Sequence, residues 1–460
     1  MNISSSTEKN STLLVASVAS FITPFMGSAT NIALPTIGAE FSADAITLSW
    51  VATAYLLAVA IFLMPFGRLA DIYGRKRIFL YGIALFTLAS LLSGIAHSIL
   101  ILIFYRVLQA IGSAMIFSTS VAMITAVFPP KERGRAMGIA VGSVYMGLSL
   151  GPFAGGILTQ YFGWRSIFFF VVPLGLIAIY FVITKLKNDW SDAKGEPFDW
   201  GGSIFYAFAL FFIMIGFPRL PDILGLSYLG IGFLFFFVFI FWELRIKFPI
   251  LDLNIFKNNI IFRYSNLAAL INYSATFAVA FLLSFYLQYF KGLDPEGAGF
   301  VLVSQPIVMA IFSPWAGRLS DRIDPRIISS IGMAVSALGL VFLAFISSET
   351  TILHLVLTLM LLGLGFALFS SPNSNSIMSS VERKHLGIAS ASLGTMRMIG
   401  QMLSMGIAMM LFAFFIGQKS IDSSNLPQLL SALQVAFIIF AVLCFLGVFA
   451  SLARGKRVVV

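Results

Sequence analysis

The chain has 460 residues, of which 59% are hydrophobic, 15% aromatic and only 10% charged, with a mean hydropathy of +0.96. A soluble domain carries roughly 25% charged residues, so a chain this apolar cannot cover a water-facing surface and must sit in lipid. The net charge of +10 does not indicate nucleic acid, because the basic residues fall in short clusters between apolar runs, as cytoplasmic loops do.

A membrane-spanning helix needs about 20 largely apolar residues, since lipid cannot satisfy free backbone groups and a helix satisfies its own. The first apolar run starts near Ser11. It is too long for the core of a signal peptide and hardly basic at its start, so it reads as a retained helix. In chain order the predicted helices are 12–37, 46–67, 78–96, 99–126, 136–158, 166–186, 201–218, 224–244, 262–290, 297–316, 327–347, 351–378, 387–417 and 430–452. The fold class is therefore an all-α integral membrane protein of about fourteen spans. The lone cysteine, Cys444, lies in the last run and can form neither an internal disulfide nor a metal site.

Charge sets the orientation. With both termini cytoplasmic, the inner segments hold twenty-three Lys and Arg, and the outer segments only Arg165, Arg219, Lys291 and Lys419. That is the positive-inside bias. The remaining two, Arg106 and Arg397, fall inside predicted helices.

An internal repeat divides the chain. Gly67-Arg68-Leu69-Ala70-Asp71, after the second helix, recurs 250 residues later as Gly317-Arg318-Leu319-Ser320-Asp321, after the tenth; Ile78 and Gly82 match Ile328 and Gly332 at the same offset. Two six-helix halves separated by an extra pair fit this spacing, and such repeats build many secondary transporters, with the substrate site between them. The expected units are 1–187, a linker and extra pair at 188–257, and 258–460. The polar stretch 187–200, with Gly195 and Pro197, reads as the linker.

Three motifs carry chemistry. In Gly67-Arg68-Leu69-Ala70-Asp71-Ile72-Tyr73-Gly74-Arg75-Lys76-Arg77, Gly67 and Gly74 suit a tight turn between helix ends. Asp71 can accept hydrogen bonds from a helix start or an arginine, and Arg75 to Arg77 can anchor at the anionic inner leaflet. The fourth helix holds Arg106-Val107-Leu108-Gln109, and an intramembrane arginine faces the bundle interior or a watery cavity. The fifth holds Gly138, Gly142, Gly147, Gly151, Pro152, Gly155 and Gly156, whose spacing by four puts small residues on one face for close helix approach; Pro152 adds a kink.

These stretches, over essentially the whole chain, resemble the major facilitator superfamily and its fourteen-helix drug:proton antiporter branch. The resemblance implies that the first loop latches the outward-facing state through Arg68, Asp71 and Arg75. It implies that Arg106 takes part in proton transfer or senses the coupling carboxylate. It also implies that Gly147-x-x-x-Gly151-Pro152-x-x-Gly155-Gly156 is an antiporter motif, found in exporters. Trp164-Arg165 and Asn31-Ile32-Ala33-Leu34-Pro35 are similar to the branch as well, but Met26 stands where the branch commonly has an aspartate five residues before the asparagine.

No Asp or Glu occupies the middle of any predicted span. The intramembrane polar groups are instead Arg397 and Gln401, Asn266, Asn272 and Tyr273, Gln305, and Asn373 and Asn375. Two buried cations without a central acid point to an anionic, zwitterionic or neutral substrate. The candidate coupling and substrate residues are thus Asn31, Arg106, Gln109, Arg397 and Gln401. His97, His354 and His385 read as incidental. The chain lacks metal-ligand clusters, a phosphate-binding loop and a nucleophile–histidine–acid set, so no metal, no cofactor and no enzyme activity is expected. The expectation is a monomeric carrier in the cell membrane that exports amphipathic small molecules against an inward flow of protons. The alternatives are a dedicated exporter or importer of one anionic or neutral metabolite, and a membrane-embedded enzyme or scaffold.

Overall fold

The computed structural model describes residues 6–186, 188–191, 193–382, 386–422 and 424–455. Among these residues seventeen α-helices follow one another: α1 (Ser6–Phe41), α2 (Ala45–Tyr73), α3 (Arg75–Gly94), α4 (Ile99–Val127), α5 (Pro130–Phe162), α6 (Arg165–Lys185), α7 (Trp200–Gly216), α8 (Ile223–Glu243), α9 (Leu253–Asn258), α10 (Ile260–Thr276), α11 (Ala278–Tyr289), α12 (Pro295–Leu302), α13 (Ser304–Arg322), α14 (Pro325–Ala344), α15 (Ile352–Ser379), α16 (Leu386–Phe415) and α17 (Leu426–Leu452). Among the described residues, fourteen stretches are long and apolar enough to cross a membrane. The ninth span is α10 with α11 and the tenth is α12 with α13, broken at Phe277 and Val303. The breaks and the short α9 went unpredicted: no Gly or Pro stands beside Phe277, whereas Pro306, three residues after Val303, lacks the N–H that would bond the Leu302 carbonyl. Conversely, Pro24 and Pro35 lie inside α1 without ending it, since neighbouring helices can support freed backbone groups in a membrane.

Short polar side chains start the helices. Asp44 Oδ1 accepts from Ile46 and Thr47 N–H at 3.0 and 2.9 Å, and Asp294 Oδ1 from Gly297 N–H at 2.7 Å, relieving the unpaired first-turn donors. Burial then sorts the spans: the most apolar stretch of α2 is 72% buried but that of α8 only 17%, so α8 turns Phe233, Phe237 and Phe241 to lipid.

The sequence repeat is also a packing repeat. Gly82 of α3 lies against α4 at Gly112, and Gly332 of α14 against α15 at Gly365, each within 3.0 Å of the facing carbonyl if a Cβ were added. Each half is a six-helix bundle built on the same close crossing. The extra pair, α7 and α8, packs on itself and reaches the first bundle through α7, where Tyr206 Oη–H donates to the Ala60 carbonyl of α2 at 3.0 Å.

Candidate functional site

The signature loop differs from its predicted form in one respect: Gly67 is inside α2 and only Gly74 makes the turn. Gly74 has φ +115°, a conformation costly for any side chain. A Cβ there would also lie 2.3 Å from Asp189 Oδ2. Asp71 Oδ1 accepts from Arg75 Nη2 at 2.7 Å and Nε at 3.0 Å, a pair that spans the Gly74 turn from α2 to α3.

The linker covers this loop. Asp189 accepts from Lys76 N–H at 2.9 Å and pairs with Arg77 at 3.2 Å. Arg75 N–H donates to the Trp190 carbonyl at 2.9 Å and Ala193 N–H to the Asp71 carbonyl at 3.0 Å. Arg68 pairs with Glu196, and its guanidinium carbon lies 6.0 Å over the ring of Phe248. Asp189 and Glu196 were not legible as partners, because a polar linker has no periodicity to aim its side chains. In the second half, Gly317 and Arg318 continue α13, and α14 starts at its own cap, where Asp324 accepts from Arg326 N–H at 2.9 Å. Asp321 belongs to α13, but its side chain lies outside the described residues.

The glycines of α5 form two contacts. Gly147, Gly151 and Gly155 face α1, where added Cβ atoms would lie 2.4 Å from the Phe21 carbonyl oxygen, 1.8 Å from Ser28 Oγ and 2.7 Å from Ala29 Cβ. Gly156 faces the other half: its Cβ would lie 2.5 Å from the Pro295 carbonyl oxygen, and that of Gly299 only 2.3 Å from the Pro152 carbonyl oxygen. Gly138 and Gly142 meet nothing within 4 Å. The α5–α12 seam lies at the outer end in the orientation that charge predicts. Phe153 meets Phe300 edge-on beside it, centroids 5.1 Å apart. Around the same end, Ser284 Oγ–H donates to the Asn31 carbonyl at 2.9 Å and Gln288 Nε2–H to the Ile32 carbonyl at 3.0 Å. Ala45 N–H also reaches the Lys419 carbonyl at 3.0 Å. In that orientation it is the outer ends of the two bundles that are in direct contact.

Arg106 and Gln109 come together inside the first bundle. Arg106 is 1% exposed; its Nε–H donates to the Val51 carbonyl at 3.2 Å and its Nη1–H to Gln109 Oε1. Gln109 Nε2–H passes the chain on to Ser90 Oγ at 2.7 Å, and the guanidinium carbon lies 4.2 Å over the Tyr55 ring. Arg397 has other surroundings. It lies 5.7 Å over Tyr273 and near Tyr145, whose hydroxyl is close to Ser313 and Ser370. Tyr145, Tyr273, Ser313, Ser370 and Arg397 come from α5, α10, α13, α15 and α16, and both bundles contribute. Gln401 follows one turn later, half-buried. Tyr145, Ser313 and Ser370 carried no sequence signal, since only the meeting of three distant helices sets them apart. Met26 is fully buried.

The model of the Major Facilitator Superfamily matches residues 16–246 and 266–458. The chain belongs to that superfamily. As a major facilitator protein it is a multi-pass secondary transporter and not an enzyme. It is 32% identical over 440 residues to the riboflavin transporter RibZ of Clostridioides difficile (strain 630), covering 95% of each chain. It is 31% identical over 388 residues to the multidrug resistance protein Stp of Mycobacterium tuberculosis (strain CDC 1551 / Oshkosh), covering 82% of this chain and 71% of that one. The crystal structure of a bacterial homologue of the human lysosomal transporter Spinster, inward-facing and unoccupied, matches with a TM-score of 0.71 at 17% identity over 98% of both chains; this likeness concerns the fold alone.

Proposed function

We propose that the chain exports amphipathic small molecules, driven by protons entering the cell, through rocking of the two bundles about a central site. The observation that carries this reading is the α5–α12 seam, where Gly156 and Gly299 each meet a bare carbonyl of the other half. Such a joint needs no side chains withdrawn from sockets, so it can part and re-form as the halves alternate. The signature loop, with its Asp71–Arg75 pair, is assigned the latch at the inner end, and Arg106 with Gln109 a place in proton handling.

A second reading, carriage of one neutral or anionic metabolite, draws on Arg397 beside Tyr145 and Tyr273 with no mid-span carboxylate. Tyrosine rings and a guanidinium suit a flat heteroaromatic molecule, and one relative is named for riboflavin transport. Inverted membrane vesicles decide between the two. A pH gradient is imposed and uptake of cationic, neutral and anionic fluorescent compounds, riboflavin among them, is followed with proton leak. Uptake of several compounds that an uncoupler abolishes supports proton-linked export. Uptake of riboflavin alone favours the metabolite carrier, and uptake indifferent to the uncoupler removes proton coupling.

A further inference from the structure

The extra helix pair holds a polar contact that transport by rocking bundles does not call for. Asp199 is the residue before α7 and Glu243 the last of α8, and each is only 3% exposed. Asp199 Oδ1 accepts from Gly202 N–H and from Trp242 Nε1–H, both at 2.9 Å. Glu243 Oε2 accepts from Leu251 N–H at 2.9 Å. One oxygen of each carboxyl, Asp199 Oδ2 and Glu243 Oε1, remains buried with no donor. A Cβ added at Gly202 would lie 2.2 Å from both, so the two orphan oxygens face one another over that glycine.

Two carboxylates cannot both stay ionised in such a place. Like charges repel more strongly away from water, and two acceptors make no bond. A proton on either oxygen turns the repulsion into a charge-assisted O–H···O hydrogen bond and satisfies both atoms. We propose that Asp199 and Glu243 form a buried site for a single proton, shared between Oδ2 and Oε1, that fastens α7 to α8 and to the segment leading into the ninth span. A metal ion suits the site poorly. The other neighbours, Gly202, Leu251 and Trp242, offer N–H donors, whereas hard cations take six or more oxygens. The surrounding charges are engaged elsewhere: Arg245 lies 3.7 Å over the Phe241 ring, Lys247 lies 5.4 Å over Phe248, Arg68 pairs with Glu196, and Asp252 accepts from Asn254 N–H at 3.0 Å. The site stands whether or not transport is proton-coupled.

Infrared difference spectra of the purified protein in lipid nanodiscs, in water and heavy water at neutral pH, test the proposal. The wild type is expected to show the carbonyl band of a buried protonated carboxyl, and Asp199→Asn and Glu243→Gln to lose it. Glu243→Gln keeps an amide N–H in the place of the proton and an oxygen for Leu251. Its melting temperature should therefore match the wild type at neutral pH and exceed it in alkali, while Glu243→Ala, which strands Asp199, should melt lower throughout. A wild type without that band, or a band that survives both substitutions, overturns the proposal. So does a Glu243→Gln protein as unstable as Glu243→Ala, or a wild type that sodium stabilises in place of the proton.

Discussion

Arg106 sits among Val51, Gln109 and the Tyr55 ring, 1% exposed, while Arg397 joins Tyr145 and Tyr273 where the bundles meet. Both arginines were legible in the sequence as intramembrane charges. Their different housings were not, because helix periodicity gives a face without naming the neighbour it finds. Met26 illustrates the same limit. Its position suggests a place where an aspartate could welcome cations, yet the side chain is fully buried. Met26→Asp should therefore lower the melting temperature, since an unpaired buried charge costs several kcal/mol, and should bring no gain in cation uptake. Unchanged stability with increased cation uptake would place residue 26 on the substrate path. Asp71→Asn removes the charge from the Arg75 pair; transport in vesicles should fall to background while the protein still reaches the membrane. Full transport by that variant would remove the latch role.

At the scale of helices, the α5 motif divides by neighbour in a way that its spacing only half reveals. Residues four apart share a face, and Gly147, Gly151 and Gly155 indeed share α1. Gly156, one step round the helix, belongs to the seam with α12. The two roles give different mutant behaviour. Gly156→Leu overfills a joint that must open and close, which costs about 1–3 kcal/mol and shifts the outer end by about 5- to 150-fold towards open. A cysteine placed at Ser284 should then react faster with an impermeant thiol reagent added outside. Equal reactivity in the two proteins would mean that Gly156 does not govern closure. The breaks at Phe277 and Val303 belong to this scale too: Pro306 follows the second by three residues, whereas at the first Ala278 N–H donates to Ser404 Oγ of α16 at 3.0 Å with no Gly or Pro beside it.

For the molecule as a whole, hydropathy was sufficient to foresee about fourteen spans, because lipid admits so few backbone solutions, and the repeated Gly-Arg-Leu-x-Asp loop pointed to two six-helix halves. Orientation remains a reading of charge, and the chain is suited to testing it: the lone thiol, Cys444, is buried and should stay silent to labelling. In intact cells, Lys419→Cys should label with an impermeant maleimide and Lys194→Cys should not. The reverse pattern would invert the topology.

The linker lies over the first signature loop through Asp189, Trp190, Ala193 and Glu196. Lys194 is exposed at the edge of this cover, next to Gly195 with φ +89°, and Ala193 is bonded to the loop itself. The strap is thus a natural cleavage site whose accessibility follows the loop beneath it. Brief trypsin treatment of inverted vesicles should cut at Lys194 at a rate set by how often the loop lets go. Digestion could then report the working cycle of one half, before any substrate for the carrier is known.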